Sequence, residues 1–398
     1  MIPPKGMPPS NSILGSNPLK TTDLSSRPFE RILLIKPSAV GDVIHTLPVL
    51  VKLRARYPEA RIDWLITPEN ADLVRYHPAL SNAVHFPRHQ LTRFGRSWSA
   101  TAGPIKLLAT LRKPRYDLVV DMHGQFRSAL LVLATAAPVR IGFDRPARKG
   151  PTAPPARSRE TGVHGWSGAR EGAWIAYTHR MPITTLDLHA VDRYLWLSTM
   201  LGLDDAPPDM TIYTPPEASA AIDRKLEDTG IRGGRPVALL VPGTIWQTKH
   251  WHVEGFAEVG RDLTRSGFLV VLAGTARDRA RCRAIAEACP GARDLSGRTT
   301  LSELAALVRR AAICITNDSG SMHMAVALDR PVVSVFGPTD PYKIGPYRRP
   351  HAVVRADVPC LGCYLRHLHS CPHGHACMTQ VTGAMVAERV RRILDAAA

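Results

Sequence analysis

From residue 31 onward short apolar runs alternate with amphipathic stretches, and few folds accept that order. Arg31–Ile35 (RILLI), Arg61–Thr67 (RIDWLIT) and Asp117–Asp121 (DLVVD) read as strands. Val43–Tyr57 reads as a helix that stops before Pro58. The runs are apolar on successive rather than alternate residues, as in strands buried on both faces of a parallel sheet with helices packed on it. The texture changes at 203–218 (LDDAPPDMTIYTPPEA), which is rich in proline and acids, and the alternation then restarts. Val237–Val241, Phe268–Ala273, Ala312–Thr316 and Val332–Phe336 read as strands. His252–Ser266 reads as a helix stopped by Gly267, and Leu301–Arg310 as one capped by Thr300 or its neighbour. The order βαβα, run through twice, predicts an α/β protein of two Rossmann-like domains whose parallel sheets face a central cleft. Its parts are expected to be a disordered tail (1–28), a first domain (29–205), a second domain (206–380) and a terminal helix (381–398), in which Val386, Val390, Ile393 and Leu394 share one face.

A chain of 398 residues, 44% hydrophobic and 21% charged, suffices for two cores. Its formal net charge of +17 implies an anionic partner: nucleic acid, an acidic membrane surface or a phosphorylated substrate. Nucleic acid is disfavoured, because there is no RNP aromatic motif and no finger spacing, and aromatics make up only 6% of the chain. No run approaches eighteen apolar residues, and the Pro-, Ser- and Asn-rich start lacks the apolar centre of a secretory signal, so a cytoplasmic protein is expected. The Pro-, Gly- and Arg-rich stretch 144–170 reads as a long insertion without periodicity, suited by its cations, Arg145 among them, to an anionic acceptor.

Chemistry concentrates at the carboxyl ends of the second-half strands. In NDSGSMHMAVALDRPVVSVFGPTDP (317–341) a strand leads through Asp318, Ser319 and Gly320 into a helix carrying His323. A helix N-terminus behind small residues is a natural cradle for a diphosphate, with His323 as a donor to a phosphoryl oxygen and Asp318 as an acceptor for a sugar hydroxyl. VPGTIWQTKHWHVEGF (241–256) adds a turn with Thr244, followed by Lys249, which can neutralise a leaving nucleoside diphosphate. LAGTARDR (272–279) supplies Asp278 for ribose hydroxyls. Three convergent turns suit a sugar nucleotide. The chain contains no Asp-x-Asp, the usual holder of a metal on the diphosphate, which leaves that charge to Lys249 and the helix dipole.

In the first half, KPSAVGDVIHTLP (36–48) puts an acid, Asp42, after a strand where a phosphate-binding turn would have none. Taken alone, Asp42 reads as a helix N-cap. His45 and His123 fall near the same strand ends, and His123 is placed to touch an acceptor. Cys360, Cys363, Cys371 and Cys377, with histidines interspersed, are compatible with a structural zinc site, although the spacing is that of neither a ribbon nor a finger. Reduced thiols in a packed loop are the alternative.

PSAVGDVIHTLPVL, DLVVDMHGQFRSAL, RIGFD, HAVDRYLWLSTMLGL, KHW and the 317–341 segment, in that order, resemble the successive motifs of the lipopolysaccharide heptosyltransferases, glycosyltransferase family 9. The resemblance runs from about residue 31 to the C-terminus and implies the GT-B fold. It implies inversion at the anomeric carbon without a metal or other cofactor, and transfer of heptose from ADP-heptose to the inner core of lipopolysaccharide at the inner face of the inner membrane. By resemblance Asp42 matches the general base, and Thr244, Lys249, Asp278, Asp318, Ser319, Gly320 and His323 match donor-site positions. The first domain would then bind an acceptor of the Kdo-lipid A type and the second the ADP-sugar donor. The N-terminal extension and the 144–170 insertion have no counterpart in the pattern. Two alternatives are a family relative carrying another activated sugar to a different cell-envelope acceptor and, from another class, a basic α/β nucleic-acid-binding protein.

Overall fold

The computed structural model describes residues 23–86, 106–146, 165–227 and 234–396. Most of the expected tail and residues 147–164 of the insertion lie outside them. Twelve strands among the described residues form two sheets of six, parallel throughout. The first holds β1 (Arg31–Ile35), β2 (Arg61–Ile66), β3 (Asn82–His85), β4 (Leu118–Asp121), β5 (Val139–Phe143) and β6 (His179–Met181), in the order β3-β2-β1-β4-β5-β6. The second holds β7 (Val237–Val241), β8 (Leu269–Leu272), β9 (Arg293–Asp294), β10 (Ala311–Asn317), β11 (Val332–Val335) and β12 (Val353–Val354), in the order β12-β11-β10-β7-β8-β9. Both sheets are wound alike, and the strand order reverses between β1 and β4 and between β7 and β10. Sheets of this type bind ligands beyond the strand ends at such reversals.

The helices that matter for the site are α1 (Val40–Arg56), α2 (Phe126–Ala134), α3 (Ala190–Tyr194), α4 (Pro216–Glu227), α5 (Val253–Arg265), α6 (Arg279–Ala288), α7 (Leu301–Arg310), α8 (Gly320–Ala327) and α9 (Gly383–Asp395). α1 begins three residues before the expected Val43, so Asp42 lies inside its first turn. Thr300 caps α7 as expected: its Oγ1 accepts from the Glu303 N–H while the Glu303 carboxylate accepts from the Thr300 N–H.

The faces of β7 separate two cores. Leu239 and Val241 point into an apolar core that runs without a break from the first sheet, past α1, to α7 and α8 of the second lobe. Ala238 and Leu240 point the other way, into a core closed by α5 and α9. The terminal helix thus docks on the second lobe, where the Trp251 indole N–H donates to the Val381 carbonyl at 2.8 Å just ahead of it. None of the described helices is long and apolar enough to cross a membrane.

Candidate active site

Because only four residues separate α1 from β1, its first turn stands over the carboxyl ends of β1 and β4. Asp42 is the third residue of α1, and its Oδ2 accepts from the Ala39 N–H at 3.4 Å. It is therefore not the N-cap residue but an acid reaching back toward the cap. Lys36 Nζ lies 3.7 Å from the same oxygen, and the Tyr194 hydroxyl donates to Oδ1 at 3.3 Å. Lys36 is buried and also donates to the Tyr194 oxygen (2.8 Å) and the Met122 carbonyl (3.0 Å). The Asp42 side chain keeps 46% of its surface, so it is the accessible member of this trio. Burial opposes its ionisation, but the Lys36 charge, His123 and the Ala39 N–H together hold its pKa below the usual carboxylate value. Burial opposes the charge on Lys36 as well, yet Asp42 and Tyr194 keep its pKa raised.

His123 stands beside this acid in a loop ordered by Asp121. The buried Asp121 carboxylate accepts from the His123 N–H at 2.8 Å and from the Tyr177 hydroxyl at 2.8 Å. Burial and then Lys36 push the His123 imidazole down to about 4, so it is neutral near pH 7. Arg145 is exposed, and no hydrogen bond or ion pair joins it to Asp42 or His123. The insertion is not structureless throughout. Its ends are tied by the Ala169 N–H donating to the Asp144 carbonyl at 3.0 Å, and Trp166 packs against Phe143 with Arg193 over its ring.

Across the cleft, α8 starts directly after β10 with Ser319 as its extended cap residue, whose hydroxyl is buried without a hydrogen-bond partner. Asp318 accepts Lys249 Nζ at 2.6 Å and the Thr339 hydroxyl, and the Thr244 hydroxyl donates to the Asp318 carbonyl at 3.2 Å. Lys249 and Asp318, expected to meet different parts of a donor, are thus paired with each other. Asp278 Oδ2 accepts from the Thr275 N–H and hydroxyl, both at 2.8 Å. It also lies so close to Gly243 that a Cβ there would come within 2.5 Å of it. The three turns expected from sequence therefore do converge, with Thr244, Lys249, Asp278, Asp318, Ser319 and Gly320 around them.

The lobes touch where α1 and α8 begin. A Cβ on Gly41 would lie 2.5 Å from His323 Cδ2, and one on Gly320 would lie 2.6 Å from a Val40 methyl. Only glycine permits that approach at either place. His323 lies at this contact. Its Nδ1 is engaged with His45 Nε2 at 2.9 Å across the lobes. Burial pushes His323 down to about 4 and holds His45 well below its ordinary value, so both rings are neutral and one donates to the other. His189 stands edge-on to His45 and donates from Nε2 to the Gly345 carbonyl at 3.0 Å, a further tie between the lobes.

The cysteine segment packs beside the turn that carries Lys249. Among the described residues no three His, Cys, Asp or Glu side chains stand so that they could hold a metal ion, and Cys360, Cys363, Cys371 and Cys377 do not form the tetrahedral set. Burial raises the thiols of Cys360, Cys363 and Cys377, the last to about 12, which keeps them protonated. The segment instead braces the turn that carries Lys249: His375 Nε2 donates to the Thr248 carbonyl (2.6 Å) and the Thr248 hydroxyl to the Leu365 carbonyl (2.6 Å).

Sequence reasoning missed Lys36 and Tyr194. Lys36 had a local signal, a lysine closing an apolar strand six residues before an acid. Tyr194 had none, since 152 residues separate it from Asp42.

The chain matches the model of glycosyltransferase family 9 (heptosyltransferase) over residues 105–161 and 154–369. It is 31% identical to lipopolysaccharide heptosyltransferase 1 of Pseudomonas aeruginosa over 343 residues, 84% of this chain and 86% of that one. It is 28% identical to lipopolysaccharide heptosyltransferase 1 of Escherichia coli K12, covering 82% of this chain and 93% of that one. Among solved structures, E. coli heptosyltransferase WaaC with ADP superposes with a TM-score of 0.70 at 25% identity, covering 91% of this chain and 99% of that one. E. coli ADP-heptose lps heptosyltransferase II gives 0.69 at 24% identity, covering 92% and 99%, and supports the GT-B fold. With two like-wound sheets and the family model matched over half of the first and all of the second, this chain is a glycosyltransferase and belongs to family 9, the heptosyltransferases.

Proposed function

We propose that the protein transfers heptose from ADP-heptose to a Kdo-bearing inner core of lipopolysaccharide, with inversion and without a metal, and that Asp42 is the general base. The observation that carries this reading is the meeting of an accessible acid, held ionised by Lys36, with the cradle at the start of α8. The relatives named as lipopolysaccharide heptosyltransferases supply the sugar and the acceptor class.

The first lobe binds the acceptor and the second binds the donor. The diphosphate rests on the N–H groups of Ser319 and Gly320, where the α8 dipole favours negative charge. Lys249 shares its ammonium between Asp318 and the departing ADP, and Asp278 accepts from ribose hydroxyls. The acceptor hydroxyl gives its proton to the Asp42 carboxylate as its oxygen bonds to the anomeric carbon, while the carbon–oxygen bond to ADP breaks on the opposite face. A carboxylate held this acidic is a weak base, so proton transfer accompanies attack. The enzyme works at the cytoplasmic face of the inner membrane, where its acceptor resides.

The test is Asp42→Ala in the full chain, given ADP-heptose and Kdo-lipid A, with products identified by mass spectrometry. Turnover falls by about 10²–10⁴-fold while calorimetric affinity for ADP stays unchanged. Near-normal turnover removes Asp42 as the base, and preference for another nucleotide sugar in a panel of ADP- and UDP-sugars removes heptose.

A further inference from the structure

One face of α2 has no partner among the described residues. Phe126, Leu130 and Leu133, spaced four and three apart, form a single outward stripe with 52, 49 and 50% of their surface exposed. Ser128, Ala129, Leu131 and Val132 face inward. The short turn Ala173–Ala176 packs along α2 and adds Ile175, 76% exposed. Contiguous apolar side chains left in water on a helix mark a place where something docks.

The surroundings say what docks there. Arg127 is exposed on α2 itself. Arg170 is held beside the helix start, its N–H donating to the Gly124 carbonyl at 2.8 Å, and Arg145 follows Asp144, whose carbonyl takes the Ala169 N–H. None of these three arginines makes an ion pair among the described residues. The acids at this edge are occupied: the Glu171 carboxylate accepts from the Phe126 N–H, and that of Asp144 accepts from the Arg145 N–H and lies 3.8 Å from Arg180. An apolar stripe with a collar of uncommitted cations complements a surface that is anionic outside and apolar beneath. A second copy of this chain is a poor match, because each copy carries +17. The stripe also begins three residues after His123, at the mouth of the cleft that holds Asp42.

We infer that the α2 face, with Ile175, is a membrane-docking surface that seats on an anionic bilayer and brings the head of a lipid-anchored acceptor to the cleft. This rests on the reading of the acceptor as a glycolipid. Phe126, Leu130, Leu133 and Ile175 enter the interface and the arginines lie at the level of the lipid phosphates.

The probe is co-sedimentation of the full chain with phosphatidylcholine vesicles with and without phosphatidylglycerol. The wild type pellets with the anionic vesicles and loses them at high salt. Leu130→Asp with Leu133→Asp weakens vesicle binding at least tenfold and lowers transfer to a vesicle-borne acceptor by a similar factor. Transfer to the same acceptor after deacylation stays unchanged. Leu130→Ala with Leu133→Ala, which keeps helix propensity, shows the same split with a smaller factor. The inference is overturned by a wild type that ignores anionic vesicles, or by variants that pellet as it does. It is equally overturned if the Asp variant dissociates an oligomer while vesicle binding persists, since the face is then a contact between copies. The expected vesicle pattern in a protein that transfers to neither acceptor supports the docking surface and removes the activity alone.

Discussion

Asp42 stands under opposed influences, burial acting against its charge and Lys36 acting for it, and the balance sets when it can accept a proton. A carboxylate whose pKa is lowered stays ionised until the pH falls through that lowered value. Wild-type activity should therefore show no acid limb attributable to this group between pH 7 and its ordinary value of 3.8. Lys36→Met removes the cation and leaves the burial, so the limb should climb above 3.8 and appear in a pH–rate profile of kcat/KM. A profile unchanged by the substitution removes Lys36 as the group that keeps Asp42 charged. Tyr194→Phe removes both the hydrogen bond to Asp42 and the one accepted from Lys36, at about 0.5–1.5 kcal/mol each, and should cost turnover several-fold while leaving ADP affinity alone. At this scale the sequence was informative where chemistry is local: Asp42 is an anion in an odd place, and Asp318–Gly320 sit on a strand-to-helix turn. It was silent where partners come from afar. His323 looked like a free donor because nothing near it in the chain announces His45.

Between elements, the decisive contact is that of α1 with α8, which brings two positive helix ends together with an acid between them. Asp42 offsets part of that repulsion, as an anion in a first helical turn does. Gly320→Ala puts a methyl against Val40, and overpacking of this kind costs about 1–3 kcal/mol. It should lower the melting temperature and raise the KM for donor, since the cradle shifts with α8; an unchanged melting temperature means that the lobes give way freely there. The buried histidine pair makes stability depend on pH. Unfolded, His323 takes a proton near 6.5, but folded it does so only near 4. Acidification through that window therefore favours the unfolded chain, and the melting temperature should be level above pH 7 and fall between 6.5 and 4. His323→Asn should flatten that fall. Elements with strong apolar runs (β1, β7, α7) were legible from sequence to the residue. β3 (NAVH) and β6 (HRM) were not, because short edge strands bury little and carry polar residues. β5 (VRIGF) was hidden by its arginine and glycine.

Taken whole, the molecule is two copies of one winding, and the alternation of runs was enough to foresee that. How tightly the halves join was not legible, because apolar residues of both lobes read alike in sequence whether or not they share a core. They do share one: it passes from β1 and α1 to α7, α8 and one face of β7. Large apolar interfaces resist relative motion. Widening the cleft to admit a nucleotide would carry some of that core into water, and apolar surface in water raises heat capacity. The rate of nucleotide association should then give a curved Eyring plot, whereas a cleft already wide enough would give a straight one. The breathing of this enzyme is thus expected to be thermally tuned, with the cost of opening set by temperature through the same water that holds its two halves together.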